Sequence, residues 1–159
     1  MPSGTEFITH EFDEAIAIQQ SIITSGKALS TTHPVAEVKR QLTADLKVDQ
    51  RHLADLQKFG KPFGATGKRE EVAEALGSLA DETSQKAGSE ESEAYEAHAV
   101  LLNLKRKQQD SADAMVKIAR DRKETDLRDA ATKMKKEIKA SADALGKSLA
   151  DFAVRIAST

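Results

Sequence analysis

The chain has 159 residues, of which 24 are basic and 26 acidic, so its formal net charge is −2. That balance argues against a nucleic-acid partner, which needs a strongly basic face, and the absence of Cys excludes disulfides, thiolate metal sites and thiol catalysis. No apolar run approaches the ~18 residues of a membrane span, and MPSGTEFITHEF lacks the basic start and apolar run of a signal peptide, so a cytoplasmic protein is expected.

Ala, Lys, Glu, Asp, Leu and Gln dominate the long segments, and most of these favour helices. Residues 1–4 read as a short disordered lead, with Thr5 as the expected N-cap. A first helix over about 5–29 places Ile8, Phe12, Ala15, Ile22 and Leu29 on one face, with Gln19 in the same row. The segment from Ser30 to Pro34 is a break, and Pro34 suits the first turn of a second helix because its missing N–H is not needed there.

The second helix, about 34–59, carries Val35, Val38, Leu42, Leu46, Leu53 and Leu56, with Gly60 as its stop. Asp45, Asp49 and His52 fall on or beside that stripe. Residues 61–88 form a long connection: KPFGATGK is loop-like, and a short helix over about 69–83 carries Val72, Leu76 and Leu79.

A third long helix, about 90–122, has no Gly or Pro, and its stripe includes Ala94, Ala97, Leu101, Leu104, Ala112, Met115 and Ala119. His98 and Gln108 interrupt that stripe, and a polar residue in a buried seam costs free energy unless it finds partners. A fourth, about 125–157, carries Leu127, Ala131, Met134, Ile138, Ala142, Leu145, Leu149, Phe152 and Ile156. The boundary between them rests only on a charge cluster and Thr125 as a cap. The predicted fold is a single all-α domain, a four-helix bundle with short, long and short links. At 1.5 Å per residue a helix of about 25 residues is about 38 Å long, which the long link can cross.

The strongest chemical candidate is Asp49-Gln50-Arg51-His52. A carboxylate and an imidazole three residues apart share a helix face, and that donor pair suits iron, manganese or zinc. The competing reading is a hydrogen-bonded or solvated edge of the stripe. Glu93, Glu96 and His98 form a second group, which reads equally as a solvated acidic first turn favoured by the helix dipole. Glu11, beside His10 and Glu14, is a third candidate. Tyr95 reads as a packing or rim residue, and His33 in the turn has no assigned role. Gln19 and Gln108 could instead set helix register, as a single buried polar residue can. No G-x-S-x-G occurs, and GATGKRE lacks the spacing of a phosphate-binding loop.

An Asp-x-x-His on the second helix, an acidic start on the third and a long crossover together resemble the ferritin-like superfamily. Within it, His52-Leu53-Ala54-Asp55-Leu56 followed by KPFGATGK and EEVAEALGSLADE is similar to the small YciE/YciF-type stress-associated bundles. A complete two-metal site in such bundles takes a Glu from each of two helices and a Glu-x-x-His from each of the others. Here the fourth helix has no His and the second offers Asp rather than Glu, so ferroxidase activity is not implied. Haemerythrin-type bundles use more histidines than the four present.

Two functions therefore compete. One is a non-catalytic bundle acting as a homo-oligomer or with a protein partner, without a cofactor. The other is a redox-related protein holding iron or manganese in an incomplete site of Asp49, His52, Glu93, His98 and Glu11. A secreted or phage-type interaction bundle is a third possibility, weakened by the lack of an export signal.

Overall fold

The computed structural model describes residues 3–159, which form five α-helices and one short 3-10 turn. The helices are α1 (Gly4–Thr32), α2 (Ala36–Gly60), α3 (Glu71–Lys86), α4 (Glu91–Asp121) and α5 (Thr125–Ala157). Among the described residues no helix is long and apolar enough to cross a membrane.

The ends differ from expectation where local hydrogen bonding decides. Ser3, not Thr5, caps α1: its Oγ accepts from the Glu6 N–H at 3.2 Å, and Glu6 Oε2 accepts from the Ser3 N–H at 2.6 Å. This is the reciprocal box of an S-x-x-E pattern. Ser3 and Gly4 thus belong to the helix start rather than to a disordered lead, while residues 1–2 lie outside the described part. At the other end α1 continues to Thr32, and the His33 N–H bonds Leu29 O at 2.9 Å. Pro34 precedes α2 instead of entering it: Val35 is still extended, at φ −95° and ψ 115°, and caps a helix that starts at Ala36. α2 ends at Gly60 but winds into the 3-10 turn Lys61–Phe63, and the left-handed residue that ends this run is Gly64.

The boundary between α4 and α5 is a real turn. Glu124 N bonds Ala119 O at 2.8 Å and Lys123 N bonds Arg120 O at 3.2 Å, the paired closure of a Schellman motif. Lys123 sits at φ 57° in the position that glycine usually fills.

Two apolar clusters fill the interior. One gathers Ile8, Phe12 and Ile16 of α1 with Leu56 of α2, Met115 of α4 and Met134 of α5. The other gathers Ile18, Ile22 and Leu29 with Val38, Leu42, Leu101 and Leu145. A fully buried Ile, Leu or Phe of this kind contributes ~1.5–3 kcal/mol. Cluster membership gives the directions: α1 and α5 run one way, and α2 and α4 run the other. α1 packs on α2 and α4, α4 packs closely on α5, and α2 meets α5 most sparsely.

The connection from α2 to α4 lies along α1. Phe63 stacks on Phe12 with ring centroids 5.7 Å apart, and Thr9 Oγ1 donates to Phe63 O at 2.7 Å. Farther along, Asp13 Oδ1 accepts from the backbone N–H of Thr66 and Gly67 at 2.7 and 2.9 Å, and Ser84 meets Ser25 at 3.1 Å. α3 rests against α1 and α4 with Ala73 and Ala80, while Gly77 is covered by the Arg69 side chain. The expected buried face was Val72, Leu76 and Leu79. Instead Leu76 is only partly buried, and Val72 and Leu79 are each 46% exposed, because the smaller residues let α3 approach its neighbours closely.

Gly67 is held at φ 83°, and a Cβ there would fall 2.6 Å from Ile16 Cγ2. A side chain would therefore strain the backbone and press on a buried residue. Gly67→Ala is expected to lower stability by ~1–3 kcal/mol, read as a lower urea midpoint; an unchanged midpoint would contradict this account.

Candidate functional site

Between the two apolar clusters lies a polar layer at mid-height. α1 contributes Gln19, α2 Asp45, Asp49 and His52, α4 Lys105 and Gln108, and α5 Glu137 and Ser141. Gln108 Nε2 donates to Gln19 Oε1 at 3.0 Å and to Ala15 O at 2.7 Å, while Gln19 Nε2 donates to Asp49 O at 2.9 Å. Both glutamines are buried, and they tie α1 to α4 and α2 as the register reading requires.

Lys105 is the least expected member, with 2% exposure. Its Nζ lies 3.4 Å from Asp45 Oδ2 and 3.4 Å from Asp49 Oδ2, and donates to Ser141 Oγ at 2.6 Å. Ser141 Oγ donates in turn to Asp45 Oδ2 at 2.8 Å. Burial pushes the Asp49 carboxyl up, against the opposing pull of Lys105. A close Ser–Lys contact occurs in some nucleophilic enzymes. Here two carboxylates hold the lysine as a donor, and the serine proton points at one of them, Asp45. Ser141 also lies inside a continuous helix, where the backbone N–H groups are already spent. No free backbone N–H is therefore available beside Ser141 to stabilise an oxyanion.

His52 neighbours this cluster with 2% exposure. Its Nε2 is 3.7 Å from Glu137 Oε1, beyond hydrogen-bond length, and Glu137 also pairs with Arg51. Burial pushes the imidazole pKa down, with Glu137 opposing. Gln41, Asp45, Val48, Asp49, His52, Glu137, Ala140, Ser141 and Ala144 line an open cleft of about 330 Å³ between α2 and α5.

His98 belongs to a different place. The Val35 N–H donates to His33 Nδ1 at 3.1 Å, so the His33 proton sits on Nε2. That Nε2–H donates to His98 Nδ1 at 3.0 Å, and His98 Nε2–H donates to Leu145 O at 3.0 Å. The pair closes the bundle end, with Phe152 4.8 Å from the His33 ring. Burial and the neighbouring His98 push His33 down to about 4, and burial lowers His98 as well.

The five residues expected to hold a metal therefore do not meet. Asp49 and His52 share the cleft. His98 is seven residues above Lys105 on α4, about 10 Å along the axis, and is engaged by His33. Glu93 is half-buried in the first turn of α4, and Glu11 is half-buried on α1, eight residues (about 12 Å) from the level of Gln19. Ligation needs donors ~2.0–2.2 Å from one ion, and among the described residues no group of three His, Asp or Glu is placed to hold one.

Three participants escaped the sequence reading. Lys105 carries no assignment in the sequence pattern. His33 carried no assigned role, yet is fully buried. α5, expected to bring nothing polar to the interior, supplies Glu137 and Ser141 from the edge of its apolar stripe. Their spacing of four residues beside Ile138 and Ala142 is the one signal that could have shown them.

No family model matches the chain, and no curated protein matches it significantly.

Removing Lys105 strands two carboxylates in the interior. Lys105→Met is expected to cost ~3–5 kcal/mol, and adding Asp49→Asn to recover part of it, measured by denaturant unfolding; a nearly neutral single variant would refute the charge cluster's role.

Stability also depends on pH. The folded forms of His33, His52 and His98 bind protons less readily than the ordinary 6.5, so the unfolded chain gains protons first as pH falls. Their contribution is complete above about 6.5 and is lost as the pH falls toward the folded value of about 4 for His33. Asp49, pushed up when folded, works in the opposite direction but is one group against three. Urea midpoints are expected to be level at neutral pH and to fall between about 6.5 and 4; a flat profile would count against buried neutral histidines.

Proposed function

We propose that this chain is a non-catalytic helical bundle of ferritin-like connectivity that acts by self-assembly. The contacts along α1, from Phe63 beside Thr9 and Phe12 to Ser84 beside Ser25, support a long crossover between the two helix pairs. A non-catalytic role is supported by two buried groups that are engaged by their neighbours: Lys105 by Asp45, Asp49 and Ser141, and His98 by His33 and Leu145.

The observation that carries self-assembly is the outer face of α3. Val72 and Leu79 are seven residues apart, so they stand on nearly the same side two turns apart, and both are about half exposed. Burial of this face against a second copy would remove apolar surface from water, at roughly 25 cal/mol per Å². The resemblance to stress-associated bundles extends the proposal to a role under stress.

Light scattering of the full chain is expected to give a mass above the 17.2 kDa of one chain, and Leu79→Glu to return it to that of the monomer with helicity intact. A monomeric parent would overturn self-assembly and direct attention to a different protein partner.

A further inference from the structure

Charge on this chain is segregated by face. The side of α2 turned away from the bundle carries Arg40, Lys47, Arg51 and Lys58, spaced seven, four and seven residues apart and all exposed. Ala36, Thr43, Ala44 and Ala54 lie along the same line, and no carboxylate does; Glu37 and Asp55 stand at one edge. The chain as a whole has more acidic than basic residues, so this line departs from its average surface. Arg51 pairs with Glu137, while Arg40, Lys47 and Lys58 form no ion pair among the described residues. Lys39, Arg40 and Lys47 frame a shallow hollow with Thr43 and Ala44 between them.

The outer face of α3 has the opposite character. The helix holds Glu71, Glu74, Asp81 and Glu82 against a single Lys86. Its exposed side sets Glu71, Ala75 and Glu82 beside Val72 and Leu79. Glu71 forms no ion pair among the described residues. Glu82 pairs with Lys86 within the same helix, an exposed contact of the kind that contributes little and is readily exchanged. Two α3 faces laid together would meet like charge, whereas the α2 line offers the opposite sign.

The spacing matches as well as the sign. Glu71 and Glu82 are eleven residues apart, and so are Arg40 and Arg51. Eleven residues make three turns, about 16 Å, so each pair stands on one side of its helix at the same separation. Laid antiparallel, Arg51 meets Glu71 and Arg40 meets Glu82. Leu79, three residues before Glu82, then falls on Thr43, three after Arg40, and on the neighbouring Ala44. Lys86, four residues beyond Glu82, comes level with Ala36 and Glu37. The parallel orientation would instead set Leu79 against Lys47.

We propose that the α3 face of one copy docks antiparallel on the outer α2 face of a second copy, with Glu71 on Arg51, Glu82 on Arg40 and Leu79 over Thr43 and Ala44. This names the receiving surface for self-assembly and rests on that reading. α3 lies over α1 and α4, whereas α2 packs between α1 and α5, so the two faces are on different sides of one chain. The contact is therefore head-to-tail, and its repetition gives a ring or an open chain rather than a symmetric dimer.

A contact of one helix on another is small, so assembly depends on concentration. Light scattering of the full chain over roughly 10 μM to 1 mM is expected to show a mass that climbs past two copies and drops in about 1 M NaCl, where charges are screened beyond ~3 Å. The double variants Arg40→Glu/Arg51→Glu and Glu71→Lys/Glu82→Lys are each expected to stay at the 17.2 kDa of one chain. Mixed in equal amounts they are expected to assemble again, because each offers the other a complementary face on both sides. Circular dichroism of each variant checks that it folds. If Arg40→Glu/Arg51→Glu assembles alone as the parent does, or if the mixture stays monomeric while the parent assembles, the α2 contact is overturned and self-assembly stands by another surface. A parent that is monomeric throughout overturns both, and its binding to a DNA duplex would give the α2 line to a different polyanion.

Discussion

A buried ammonium is the constraint on which the rest of this bundle depends. Taking a charge from water costs several kcal/mol even after relaxation, and Lys105 is almost wholly enclosed. It is accommodated only when α2 brings Asp45 and Asp49, and α5 brings Ser141, to the same height. A shift of α2 by one turn would leave the ammonium one of its two aspartates and put Gln41 or Leu53 in the place of the other. The cluster therefore acts on register more than on net stability, which well-packed apolar residues would serve at least as well. Gln19 and Gln108 extend the same constraint to α1. The core is divided into two apolar halves because a polar layer runs between them.

The layer also explains why α2 and α5 meet so sparsely. Closing that seam would press Asp49 and His52 against Glu137 and take the carboxylates out of water. α5 presents Ala140, Ser141 and Ala144 there, too small to fill the gap. The seam stays open because its polar groups resist dehydration and its small residues cannot bridge it. The pairs α1–α2 and α4–α5 are joined by short links and pack more closely.

The helices and their stripes were legible because burial imposes a period on sequence. Ile8, Phe12, Leu42, Leu101, Met115 and Leu145 all lie where that period places them. Interruptions of the stripe were equally informative: Gln19, Gln108, Asp49, His52 and His98 are all buried. What the period does not encode is which interruption meets which. His98 and Asp49 both break a stripe, yet they sit on different helices at different heights. Lys105 was hidden because long charged side chains ordinarily lie along a surface with the head in water. His33 was hidden because its burial depends on α4 and α5 closing over a turn. α3 misled because its larger apolar residues advertise a buried face, while Ala73 and Ala80 allow a closer approach on the other side.

The alternation of helix direction has one more consequence. Each helix carries a partial charge of about +0.5 at its N-terminus and −0.5 at its C-terminus. With α1 and α5 pointing one way and α2 and α4 the other, each end of the bundle collects two of either sign. The axial fields of the four long helices cancel. The mid-height layer therefore sits on an electrically flat backbone, and its excess carboxylate is opposed by no peptide dipole. Whatever balances that charge must be another side chain or a molecule from outside.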